Sequence, residues 1–264
     1  MLSALSHAIN ENNCTFVFCY NIDLMKKHIP NAITMMNLFS GCIAIVMAFD
    51  GKFQWVVFWV LMAAIFDFFD GFAARLLHVS SRLGIELDSL ADVISFGVAP
   101  ASAVFILLRD YSSYPDLLLP FAGFVPYLAF LIAVFSSMRL GKFNIDERQT
   151  TSFIGLPTPA DALFWIAYCY GVQNLAPVNS AYMYLTIACI LLFSFLLVSE
   201  IPMFSLKIKY RSLKGNAKQL LIVILMMLFV VLWGIGGISW GIVAYIVISI
   251  ISFLVDKRTV KYSK

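Results

Sequence analysis

The chain has 264 residues, 61% hydrophobic and only 12% charged. Soluble domains carry about 25% charged residues, so one large water-soluble core is excluded. A formal net charge of +3 provides no strongly basic surface, and no nucleic-acid partner is expected.

Residues 1–24 are mixed and aperiodic, with a short apolar patch at Thr15–Tyr20. They lack the basic start, apolar run and small-residue cleavage site of a secretory signal. Met25-Lys-Lys-His-Ile-Pro reads as a bacterial start. Residues 1–24 are therefore expected to be a variable, dispensable leader, and residues 25–264 one membrane domain. Eight apolar segments of near-spanning length follow: Ala32–Phe49, Gln54–Leu77, Leu87–Leu108, Leu117–Met138, Pro159–Val172, Ala181–Ile201, Lys218–Ile235 and Ile238–Val255. The fifth is the weakest, and Gly234-Ile-Gly-Gly237 joins the last two as a hairpin-like turn. Pro30, Pro120, Pro157, Pro159 and Pro202 sit near segment ends, where proline is tolerated. The expected fold is an all-α polytopic membrane protein of about eight transmembrane helices. The five cysteines show neither CxxC nor Cys/His metal spacing.

Charge sets the orientation. With both termini cytoplasmic, sixteen of the 18 Lys and Arg fall on one side, leaving only Lys52 and Arg109 on the other. The positive-inside rule makes the crowded side cytoplasmic. The Lys207–Lys218 run and the basic tail read as contacts to anionic membrane lipid.

Five of the fifteen acids lie within residues 67–92, between two apolar segments. Carboxylates beside hydrocarbon are costly and mark a functional site. At 3.6 residues per turn, Asp67, Asp70, Gly71 and Ala74 share one helix face. Gly84, Asp88, Asp92 and Ser95 share a face of the next, while Glu86 points away. Two carboxylate pairs on adjacent antiparallel helices can converge, and such oxygen-rich sites suit hard divalent cations. Gly71 and Ala74 leave room for something bulky beside the acids. An ion-pair network with Arg75 and Arg82 does not balance five acids. A divalent-cation transporter is the rival of a different class, but its acids belong near the bilayer midplane. A metal centre for phosphate chemistry fits the placement at one membrane face better.

The pattern Asp67-x2-Asp70-Gly71-x2-Ala74-Arg75-x8-Gly84-x3-Asp88-x3-Asp92 resembles the signature of the CDP-alcohol phosphotransferase family. Flanking stretches are similar to its bacterial, serine-using branch: Pro30-Asn31-x2-Thr34-x2-Asn37-x3-Gly41, Glu86 through Ala101, Arg139-Leu-Gly-Lys-Phe-Asn144 and Phe153 through Ala160. The resemblance implies an enzyme of the bacterial cytoplasmic (inner) membrane, facing the cytoplasm. Its implied substrates are CDP-diacylglycerol and L-serine, and its implied products phosphatidylserine and CMP. It implies two ions, Mg²⁺ or Mn²⁺, on Asp67, Asp70, Asp88 and Asp92, with Asp92 also the catalytic base, and a homodimer. Gly71, Ala74, Arg75, Gly84, Asn31, Thr34 and Asn37 become candidates for binding the CDP-lipid. Arg75 is equally able to bind phosphate or to pair with Asp67 or Asp70. Asn31, Thr34 and Asn37 can also be a helix cap and packing groups. Arg139, Lys142 and Asn144 are the candidates for the serine carboxylate, positive-inside bias being the equal alternative. Another acceptor, glycerol 3-phosphate or an inositol phosphate, survives on charge alone. If the leader is dispensable, a chain lacking residues 1–24 stays folded and releases CMP at the parent rate. Loss of that activity refutes the expectation.

Overall fold

The computed structural model describes residues 28–111, 114–145, 153–175, 180–203 and 217–262. The expected leader and most of the basic run before Lys218 lie outside them. The described residues form α1 (His28–Phe49), α2 (Phe53–Leu76) and α3 (Arg82–Arg109). They continue as α4 (Phe130–Ile145), α5 (Thr158–Gln173), α6 (Ala181–Val198), α7 (Ala217–Trp233) and α8 (Gly237–Tyr262). One antiparallel pair, β1 (Phe153–Ile154) with β2 (Pro202–Met203), is the only strand pairing among them.

Among the described residues, six stretches are long and apolar enough to cross a membrane: α1, α2, α3, Val125–Ile145, α6 and Gln219–Leu254. Their outward faces expose large apolar side chains such as Phe39, Trp55, Phe68, Phe195 and Val231, as a lipid surround allows. The protein is thus an all-helical, polytopic integral membrane protein. The last stretch is folded back on itself. Gly234 takes φ +61, and a Cβ at Gly237 would collide with the Phe229 backbone of α7. Only residues without a Cβ allow so tight a reversal.

Helix α5 is the weak fifth segment, and it is short for a physical reason. It has 16 residues, with Asp161, Phe164, Trp165, Ile166, Ala167 and Cys169 among those buried. It packs against α2, α3 and α8. A helix apolar on all sides belongs inside, and one wrapped by others need not match the bilayer thickness. Phe164 stacks on Phe193 of α6 with ring centroids 4.0 Å apart.

Several boundaries differ from expectation. The fourth segment starts as helix at Phe130, not Leu117, because Pro120 and Pro126 hold 3₁₀ turns at Leu119–Phe121 and Val125–Ala129. It then continues to Ile145, past the expected end at Met138. Helix α3 starts at Arg82 and carries a π-turn at Val93–Val98, just before Pro100. The wider turn lets the chain accommodate a proline that lacks the N–H for an ordinary α-turn.

Close contacts without bulk bring the first helices together. A Cβ at Gly41 of α1 would lie 2.8 Å from the Ser95 Cα of α3. One at Gly97 of α3 would lie 3.3 Å from the Ser136 Cβ of α4. Small residues at such crossings let backbones approach. Gly41→Val should therefore force α1 from α3 and lower stability by about 1–3 kcal/mol. A thermal midpoint in detergent equal to the parent's would show that the crossing tolerates bulk.

Candidate functional site

The polar positions of α1 recur at one-turn intervals, and each meets one of the two acidic helices. Asn31 Oδ1 lies 3.0 Å from where a Cβ on Gly84 would sit. Thr34 Oγ1 donates to Asp70 Oδ2 at 2.6 Å. Asn37 Nδ2 donates to Asp92 Oδ1 at 3.1 Å, and its carbonyl accepts from Ser95 Oγ at 3.0 Å. Thr34, Asn37, Asp70 and Asp92 are all buried. Each makes at least one hydrogen bond that offsets its burial, while Asn37 Oδ1 has no partner among the described residues. Helix α1 is thus a clamp that supplies donors to one acid from α2 and one from α3.

Asp67, Asp70 and Asp88 each place a carboxylate oxygen within 4.8 Å of the other two. Among the described residues no Lys or Arg pairs with them; the ion pairs found, Lys52–Asp50 and Arg109–Asp110, sit at the opposite helix ends. Asp88 Oδ1 is buried without a hydrogen-bond partner among the described residues. Three carboxylates this close together, without a cationic partner, repel one another. The donor set, all hard oxygen with an unused buried lone pair, fits a divalent cation. Asp92 is not one of these three, but it lies within electrostatic reach of all of them and accepts from Asn37.

Beside the trio opens a cleft that is partly open to solvent. Asn31, Thr34, Asp70, Gly71, Ala74, Gly84 and Asp88 line it. A Cβ on Gly71 would meet nothing within 4 Å, so the space there is real. Arg75 is exposed and donates from Nε to the Gly71 carbonyl at 2.9 Å. It forms no ion pair with Asp67 or Asp70 among the described residues.

The three candidates for an acceptor carboxylate do not converge. Arg139 is buried and donates from Nη1 to Thr158 Oγ1 at 3.0 Å. Lys142 and Asn144 are exposed. Asn144 Nδ2 donates to Ser89 Oγ at 2.8 Å, which ties the end of α4 to the acidic helix.

Ser81 is a site residue that spacing alone passed over. It caps α3, accepting from the Gly84 N–H at 3.0 Å, and lines the cleft. Its signal was present: a serine directly before a helix is a preferred N-cap. Thr158 had no comparable signal, since its partner Arg139 is 19 residues away. Asn37→Leu removes the donor to Asp92 and leaves a buried carboxylate oxygen alone. It should cost about 1–3 kcal/mol of stability; an unchanged thermal midpoint would show that the bond contributes little.

A family model described as CDP-alcohol phosphatidyltransferase matches residues 27–208, which include every residue of the site. Three similar proteins are each named CDP-diacylglycerol–serine O-phosphatidyltransferase. That of Helicobacter pylori is 31% identical over 230 residues, covering 85% of this chain and 90% of its own. That of Bacillus subtilis is 38% identical over 133 residues, covering 50% and 70%. That of Saccharomyces cerevisiae is 36% identical over 172 residues, covering 59% and 58%. The matched span, the acid spacing and the clamp that presents the acids agree: this chain belongs to the CDP-alcohol phosphatidyltransferase family.

Proposed function

We propose that the protein transfers the phosphatidyl group of CDP-diacylglycerol to L-serine, giving phosphatidylserine and CMP. The observation that carries this reading is the Asp67–Asp70–Asp88 trio opening on a cleft beside Gly71. The choice of serine draws on the name of the Helicobacter pylori relative, which matches 85% of this chain.

Asp67, Asp70 and Asp88 would hold Mg²⁺ or Mn²⁺, with Asp92 as the fourth candidate ligand of a two-ion site. Such ions, when bound, neutralise a diphosphate and stabilise the departing CMP. The cleft beside Gly71 and Ala74 takes the nucleotide, with Asn31 and Thr34 on its wall. Gly84 lets Asn31 approach α3, Asn37 fixes Asp92, and Arg75 stands at the helix edge near the phosphates. Asp92 acts as the base. The serine hydroxyl attacks the phosphorus that carries the diacylglycerol. A new O–P bond forms, the P–O bond to CMP breaks, and the hydroxyl proton goes to Asp92. A metal-bound carboxylate is a poor base, so the base role requires Asp92 to be free of the ion when it takes the proton. The site faces the cytoplasm of a bacterial inner membrane, in a single domain of residues 25–264 that works as a homodimer.

The deciding experiment gives the reconstituted protein CDP-diacylglycerol, Mg²⁺ or Mn²⁺, and labelled L-serine, glycerol 3-phosphate or an inositol phosphate. Label from serine is expected in the lipid fraction, with matching CMP. Preference for a phosphorylated alcohol would overturn the choice of acceptor. Asp92→Asn should lower turnover by about a hundredfold or more, the usual contribution of general base catalysis. Near-normal CMP release would refute the base. Gly71→Leu should fill the cleft and abolish CDP-lipid binding while the thermal midpoint stays near the parent's, since no neighbour obstructs a side chain there. Retained binding would move the nucleotide elsewhere.

A further inference from the structure

Arg139 sits in the protein interior, 7% exposed, where an unpaired cation is costly. Its guanidinium lies 5.2 Å from the Phe143 ring centroid and within electrostatic reach of Asp92 and Tyr245. Its hydrogen bond among the described residues goes to the fully buried Thr158 hydroxyl. A guanidinium has five N–H donors. A carboxylate in the place of Thr158 would engage two of them and cancel the charge. A hydroxyl engages one and leaves the charge for an incoming anion. Ser136, one turn before Arg139, adds a buried hydroxyl without a partner among the described residues.

The segment leading to Thr158 is held in place by contacts along its length. Phe153 and Ile154 pair with Met203 and Pro202. The Gly155 N–H donates to the Ile201 carbonyl at 2.9 Å, and that of Leu156 to the Leu196 carbonyl at 3.0 Å. Gly155 takes φ +77, and a Cβ there would lie 2.7 Å from the Leu197 carbonyl oxygen. Pro157, extended, then hands the chain into α5 at Thr158. A short strand pair, a glycine turn and a proline thus deliver one hydroxyl to one guanidinium.

We propose that Thr158 is a positioning residue for acceptor recognition. It aims the Arg139 guanidinium so that its remaining donors take the carboxylate of the acceptor amino acid beside Asp92. This rests on the reading that the acceptor is L-serine. The phosphates of the nucleotide lipid are the other anion able to take those donors, and the two separate kinetically.

The test uses the full chain in lipid–detergent micelles, with KM measured for each substrate. Thr158→Val and Thr158→Ala are expected to raise KM for L-serine about tenfold, the scale of one hydrogen bond to a charged group. KM for CDP-diacylglycerol and kcat should stay within about twofold, and Thr158→Ser should restore serine affinity. Thermal midpoints check folding; if the valine variant does not fold, the alanine and serine variants carry the comparison. Unchanged serine KM in a folded variant, a rise confined to CDP-diacylglycerol, or failure of serine to rescue would each overturn the proposal. If the parent protein shows no serine-dependent CMP release, the functional reading falls and the proposal with it. A serine-active parent with unperturbed variants overturns the positioning role alone.

Discussion

Everything at this site depends on donors from α1 reaching carboxylates on α2 and α3. Carboxylates gathered in a low-dielectric interior repel one another, and burial penalises each charge separately. Thr34 donating to Asp70 at 2.6 Å and Asn37 donating to Asp92 at 3.1 Å offset part of that penalty and fix two acids in space. A carboxylate held by an oriented donor cannot swing away to relieve repulsion. The clamp therefore keeps the site preorganised before any cation or substrate arrives. Gly41 is part of the same device, because α1 reaches Asp92 only if its backbone passes close to Ser95.

The acidic stretch was legible because helical spacing is local. The three-residue interval puts Asp67 and Asp70 on one face of α2, where Asp88 of α3 joins them, and Gly71 lies against open space. Apolar patterning likewise placed a helix in each expected segment. The misplaced start of α4 has a local cause: apolar residues continue through Pro120 and Pro126, so hydropathy reports no break where the backbone turns. Hydropathy also cannot separate a helix that faces lipid from one that faces protein, and α5 is the second kind.

Partnerships across the chain were not legible. Asn144 is exposed beside Arg139 and Lys142 in the sequence, yet it donates to Ser89, 55 positions away. Arg139 turns inward and Lys142 outward because three residues along a helix do not guarantee a shared environment when one neighbour is α5 and the other is solvent or headgroup. The polar stripe Asn31, Thr34, Asn37 was visible as a pattern, but which groups it contacts depended on how α1 crosses α2 and α3. Spacing identifies a face; the crossing decides what that face touches.

The π-turn in α3 explains how one helix serves two neighbours. N-terminal to it, Gly84 and Asp88 face α1 and the cleft. Ser95, within it, still bonds α1. Gly97, two residues later, already packs on Ser136 of α4. An extra residue in the turn advances the following face by about 100°, one residue's rotation. Helix α4 packs on that turn, and its Arg139 lies within electrostatic reach of Asp92. A regular helix through the same sequence would hold the acids against α1 but turn the face after them away from α4. The irregular turn between Asp92 and Pro100 is thus the surface of α3 on which the helix carrying Arg139 packs.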